Sequence, residues 1–443
     1  MNIKVYIEKI KSGETTSYET TEMFLRKIEE KKNLRAVIDV NIDALQEAKN
    51  IDSWKGESKL FGLPILIKDN INTFDGTATS AGSIALANNY PNVSAPMVTN
   101  LIDAGAVILG KTNMTEFANY MVDYRDYQGM PNGYSSRGGQ CVHPLELELG
   151  SYVNPSGSST GSAVAVATGQ AMAAIGTETY GSIISPSQKL GIVGIKPTAG
   201  SIDMSDVIPI SQTLDIAGPM TTCVNDAAII MGVMHNKTYD VVANKTANIG
   251  IYHCSETSEE KDIIELNRAL IEKLSQAGAI ISDKKLEPID ESCVFDIMRY
   301  EFKSSINKYL KECVGENTPK TLSDIIKYNE KNSEIALKYG QNNLIAANAI
   351  GEDWQTNQIY VSAIKKRNDA IEAFDKYFEE NKFDIVLVEN AHCGLAAITG
   401  FPSMTLPIGK DKQGHPVGCC IVARRNREDV LINVAKAIEE LIS

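Results

Sequence analysis

Between Pro155 and Ser182 the chain reads PSGSSTGSAVAVATGQAMAAIGTETYGS, which sets Ser156, Ser158, Ser159, Ser162 and Ser182 among glycines. A serine hydroxyl becomes a nucleophile when a neighbouring base takes its proton, so the question is which serine attacks and what its base is. The substring GSSTG fits the G-x-S-x-G turn, which would make Ser159 the nucleophile, with a histidine base further along the chain. That turn needs a strand directly before it, and Asn154-Pro155 stands there instead; proline cannot donate into a central ladder. His235, His253, His392 and His415 follow, and each reads equally well as a surface or hydrogen-bonded core residue. The other candidate is Ser182, after a glycine at the end of a Thr-Tyr-Gly turn, where successive backbone N–H groups can converge on one oxygen. Its base can be a lysine, because burial disfavours the ammonium form. Lys68, behind Ile65, Leu66 and Ile67, is the lysine placed for that role. A lysine closing an apolar run is also the ordinary pattern of a strand-end side chain reaching for water, so the run alone leaves both readings open.

Such groups need a framework to bring positions 68 and 182 together. GLPILIKDNI is a short apolar β-type run, and LIDAGAVILGKTNM repeats a pattern of helix end, glycine and buried strand. SAVAVATGQAMAA is small and apolar enough for a helix buried on most sides. SYETTEMFLRKIEEK has helical spacing at Met23, Phe24 and Ile28, and 356–379 places Tyr360, Ile364, Ile371, Phe374 and Phe378 on one helical face. FDIVLVEN, GFPSMTLPIG and GHPVGCCIVAR return to strands and turns. The expectation is an α/β protein forming one domain over 1–443. Its core spans 1–235 and 383–443, interrupted by a helix-rich segment, 236–382.

Composition narrows the function. The 443 residues carry a formal net charge of −13, and no dense Lys/Arg block offsets it, which argues against direct nucleic-acid binding. The eight cysteines are scattered without a C-x-x-C pair and read as reduced thiols. The start, MNIKVYIEKIKSGETT, has no apolar leader segment, and no run approaches 18 apolar residues. A cytoplasmic enzyme off the membrane, monomeric or homodimeric, is the expectation.

The ordered set GLPILIKDNI, AGAVILGKTNMTEFA, PSGSSTGSAVAVA, GTETYGSIISPS, GIVGIKPTAG, LDIAGPM, GFPSMTLPIG and HPVG resembles the amidase signature family. GYSSRGGQ and GTETYGSI are similar to segments of its bacterial peptide amidase branch. The resemblance implies a large mixed β-sheet flanked by helices on both faces. It also implies a Ser-cisSer-Lys triad of Lys68, Ser158 and Ser182, because the family's catalytic serines stand 24 positions apart, as Ser158 and Ser182 do. On that basis Lys68 is the base, Ser158 the relay and Ser182 the nucleophile. The oxyanion hole comes from the backbone of Thr179, Tyr180, Gly181 and Ser182; Gly157 precedes the cis bond, and Ser159 supports the loop.

No cofactor and no metal is implied. The implied reaction is hydrolysis of a carboxamide, including the C-terminal amide of a peptide, to carboxylate and ammonia. The alternative is an amidotransferase A-type subunit supplying glutamine-derived ammonia to a partner. Tyr180 departs from the family's usual Gly and the branch's Asp, Thr160 replaces a glycine, and Ile184 and Met204 replace common arginines. Tyr124, Tyr127 and Tyr134, in the stretch 121–140, and Tyr180 are the candidate substrate contacts.

Overall fold

The computed structural model describes residues 2–54, 58–123, 129–253, 261–287, 289–313, 315 and 318–442. Eleven strands form one mixed sheet: β1 (Val37–Val40), β2 (Pro64–Lys68), β3 (Val107–Thr112), β4 (Ala173–Glu178), β5 (Val193–Lys196), β6 (Ile216–Thr221), β7 (Asn248–Tyr252), β8 (Ile280–Ser282), β9 (Ile385–Val388), β10 (Ser403–Thr405) and β11 (Cys420–Ala423). Their spatial order is β1-β3-β2-β4-β6-β5-β10-β11-β9-β7-β8. The fold is therefore α/β, with helices flanking a large mixed sheet, as the sequence implies.

The central strands look apolar because both of their faces are covered. Ile65, Leu66 and Ile67 of β2 are each fully buried, and burying such side chains contributes about 1.5–3 kcal/mol apiece. β2 and β4 run parallel, with Ile65, Leu66 and Ile67 opposite Ala173, Ala174 and Ile175. Both strands therefore run out at the same edge of the sheet, β2 at Lys68 and β4 at Thr177 and Glu178. The fold puts these residues side by side although about a hundred positions separate them in the chain.

Two elements differ from the sequence reading. The helix expected through 162–174 is Thr160–Ala167 only. Gly169 turns the chain at φ 72°, and Ala173 and Ala174 open β4. Small apolar residues suit a covered central strand as well as a buried helix, and periodicity cannot separate the two over so short a run. In the segment 236–382, residues 248–252 and 280–282 are strands β7 and β8, paired with each other and, through β7, with β9. The sheet thus extends into a stretch expected to be helical. The segment is helical elsewhere: the helix Lys261–Gln276 joins β7 to β8, and Cys293–Glu312, Leu322–Lys331, Asn342–Asn348 and Gln358–Asn381 follow. Phe302, Ile306 and Leu310 of the first of these pack with Phe117, Tyr120 and Leu86 of the N-terminal portion, in one buried cluster. The Tyr309 hydroxyl of this helix donates to Asn72 at 2.7 Å, which ties the helix to the loop that follows β2. No helix among the described residues is long and apolar enough to cross a membrane.

Candidate active site

The lysine that ends β2 does not reach solvent. Lys68 is fully buried, and its Nζ lies 2.9 Å from Ser158 Oγ, 2.9 Å from Thr177 Oγ1 and 3.1 Å from the Thr177 carbonyl. Burial pushes its pKa down to about 7, against the opposing pull of Asp215 and Glu178. The strand-end alternative, in which the ammonium seeks water, is thus not what the side chain does. A group held near neutrality can accept a proton at physiological pH.

Ser158 sits in the loop before the helix Thr160–Ala167, after a cis Gly157–Ser158 peptide bond. Its carbonyl accepts from the Thr115 N–H at 3.1 Å. Ser159 pins the same loop to β4: its hydroxyl donates to the Thr177 carbonyl at 3.0 Å and accepts from the Thr177 N–H at 3.2 Å. It also ties the loop to the next turn, its N–H donating to the Ser182 carbonyl at 3.2 Å. Ser159 therefore touches no histidine, and residues 152–156 before it form no strand. His235 bonds Ser201 and Tyr239, and His253 bonds Glu389 and Asp283, well occupied as local structural groups.

The turn Thr179-Tyr180-Gly181-Ser182 joins β4 to the helix Ile184–Leu190 and is held from three sides. The Glu178 carboxylate accepts the N–H groups of Ile183 and Ile184 at 2.7 and 3.0 Å, where a helix start favours negative charge. The Thr179 hydroxyl donates to Asp215 at 2.6 Å, and Asp215 accepts from the Ile210 and Ser211 N–H groups. Burial raises the Asp215 pKa to about 6, opposed by these same hydrogen bonds. The Tyr180 hydroxyl donates to Glu291 at 2.6 Å, and its ring packs at 5.7 Å from Phe295.

Gly181 turns the chain at φ 80°, a conformation that favours glycine. A Cβ there would come within 2.7 Å of Cys393 Sγ and 3.0 Å of Ser185 Oγ. The N–H groups of Gly181 and Ser182 donate to no acceptor among the described residues. The Ser182 hydroxyl likewise makes no hydrogen bond among them, so the link from Ser158 to Ser182 is open while that from Lys68 to Ser158 is closed. Open catalytic contacts are common without substrate and tighten once it binds.

Ser182, Thr179 and Tyr180 line a cleft of about 210 Å³ together with Phe295, Met298 and Arg299. Lys68 and Ser158 lie fully buried beneath it. Such an arrangement can generate a serine alkoxide at the cleft while keeping the base dry. The family model for amidases matches residues 19–432. The chain belongs to the amidase family. It is a hydrolase acting on amide bonds. This amidase is similar to a probable amidase of Arabidopsis thaliana, at 34% identity over 96% of this chain and 86% of that protein. The peptide amidase of Stenotrophomonas maltophilia superposes with a TM-score of 0.86 at 31% identity, covering 100% of this chain and 97% of that one. The A-type subunit of the glutamyl-tRNA(Gln) amidotransferase of Lactobacillus acidophilus is 31% identical over 99% of this chain and 96% of that protein.

Of the candidate substrate tyrosines, Tyr180 lines the cleft of the amidase. Tyr134 does not: it belongs to a small hairpin and packs edge-on against Tyr339 at 4.8 Å, with Lys338 over its ring. Tyr124 and Tyr127 lie outside the described residues. Sequence reading assigned no role to Thr177, Asp215 or Glu291. Thr177 and Asp215 stand inside the quoted segments GTETYGSI and LDIAGPM, where a position by itself does not reveal a bond. Glu291 comes from the variable middle segment, and nothing local marks it.

Proposed function

We propose that this amidase hydrolyses a carboxamide to a carboxylate and ammonia through an acyl-enzyme on Ser182, with Ser158 as proton relay and Lys68 as base. The observation that carries the reading is the buried Lys68, held near neutrality and bonded to Ser158 directly beneath the cleft that Ser182 lines. Neutral Lys68 takes the Ser158 proton as Ser158 takes that of Ser182, and the Ser182 oxygen attacks the amide carbon. The resulting oxyanion is received by the backbone N–H groups of the turn Thr179 to Ser182. Removing one such donor costs about 3–4 kcal/mol in comparable sites. As the C–N bond breaks, the proton returns through Ser158 to the leaving nitrogen. A water, deprotonated by the same route, then releases the carboxylate and restores Ser182.

The C-terminal amide of a peptide is the substrate we favour, on the strength of the likeness to the Stenotrophomonas peptide amidase over nearly its whole length. The similarity to an amidotransferase component supports a second reading, in which ammonia passes to a partner protein. One experiment separates these readings. Ammonia release is measured from a panel of peptide amides and from glutamine, with purified wild type and Ser182→Ala. Release from peptide amides by wild type alone is expected. Equal rates in the two proteins would remove Ser182 from the mechanism, and activity confined to glutamine with a co-purifying partner would favour the second reading.

A further inference from the structure

We propose that Arg299 makes the acyl side of the cleft a binding site for an anionic group, so that the preferred carboxamides carry a carboxylate on their acyl part. The inference rests on the assignment of Ser182 as nucleophile. Arg299 and Ser182 line the same cleft. In the helix Cys293–Glu312, Phe295 and Arg299 are four positions apart and so share a face. Phe295 packs on the Tyr180 ring beside the nucleophile's turn, which sets Arg299 about 6 Å further along the helix axis. An acyl chain extending from the substrate carbonyl attached to Ser182 Oγ would thus pass apolar Phe295 and Met298 before it meets the guanidinium.

Arg299 is half-buried, yet its guanidinium makes no hydrogen bond or ion pair with any described residue. Arg137, Arg268 and Arg424, by contrast, are each paired with carboxylates. An arginine withdrawn from water without a partner loses solvation, and its five donors form a fork that matches a carboxylate. With a net charge of −13 the protein repels anions at long range, so attraction to one must be local. Among the described residues, the other charged group lining the cleft, Asp123, bears the opposite sign. Arg299 and Asp123 act in opposite senses on the Tyr120 phenol, which lines the same cleft.

The test compares N-acetyl dipeptide amides bearing Glu, Leu or Lys at either position, with wild type, Arg299→Gln and Arg299→Lys. The expected order of kcat/KM in wild type is Glu above Leu above Lys. The Glu-to-Leu ratio is expected to be about tenfold, the scale of one charge-assisted contact, and to arise mainly in KM. In Arg299→Gln that ratio collapses toward one, and Arg299→Lys retains part of it. No preference for Glu in wild type, or equal losses on all three amides in Arg299→Gln, would overturn the proposal. Should wild type release no ammonia from any of the amides, the carboxamide reading fails. Calorimetric binding of the dipeptide free acids to Ser182→Ala protein then still decides the Arg299 site, which requires tighter binding of the Glu peptide.

Discussion

With Lys68 as the proposed base, its pKa, lowered by burial to about 7, sets the acid side of the pH–rate profile. A free lysine at its ordinary value of 10.5 would be neutral in about one molecule in 3,000 at pH 7, whereas a group with a pKa of about 7 is neutral in about half. On the proposed mechanism activity requires the neutral amine, so kcat/KM rises with pH through about 7 and levels off above it. At pH 6 about one-tenth of the plateau remains. Asp215 refines the shape. Its negative charge favours the ammonium form of Lys68, and its own pKa is raised to about 6. As Asp215 takes up a proton below pH 6 that influence fades, so the limb becomes shallower than for an isolated group. Asp215→Asn removes the charge at every pH and therefore moves the acid limb to lower pH. The assay is initial-rate ammonia release from one neutral peptide amide between pH 5 and 9 at constant ionic strength, with folding followed by circular dichroism. A profile flat from pH 5 to 8, or a shift of the Asp215→Asn limb to higher pH, would refute the assignment of Lys68 as the base.

Ser158→Ala should reduce kcat/KM by at least about a hundredfold, the scale of general acid–base assistance. It should also slow labelling of Ser182 by a fluorophosphonate, while leaving the melting temperature within a few degrees; unchanged labelling would exclude the relay. Gly181→Ala, which forces a Cβ against Cys393 and Ser185 at φ 80°, should lower kcat more than it raises KM, since the turn's N–H groups matter most when charge develops on the oxygen. A change confined to KM would place Gly181 outside the oxyanion hole. Glu301 is fully buried and accepts from Ser211, Thr213 and Tyr360. Glu301→Ala strands several donors at about 1–3 kcal/mol each and should cost at least about 3 kcal/mol in urea unfolding. A loss under 1 kcal/mol would mean that the network rearranges around the gap.

The α/β class and most of the elements could be read from the chain, because covered strands need apolar runs and amphipathic helices need a 3.6-residue period. Those requirements are local, and they hold for PILIK at 64–68, for IVLV at 385–388 and for the helix around Phe374. The proposed triad of Lys68, Ser158 and Ser182 was offered only by resemblance, since no spacing rule ties position 68 to position 158. Locality also explains the failures: Ala173 and Ala174 satisfy a helix or a strand equally, and only pairing with β2 and β6 decides between them.

The chain by itself settles residue types: a lysine after an apolar run, serines among glycines, and a glycine before Ser182. The environment of those residues is set by the tertiary structure. Lys68 in an isolated strand would be solvated and charged; beneath the cleft, bonded to Ser158 and Thr177, it is dry and near neutral. Tyr180 and Arg299 are likewise ordinary residues until the fold brings the helix Cys293–Glu312 to the cleft. Glu291, just ahead of that helix, then holds the Tyr180 phenol, while Arg299 is left facing the cleft without a partner among the described residues. Desolvation and charge pairing depend on what comes within a few ångströms in space, and the sequence order of those neighbours carries no record of it.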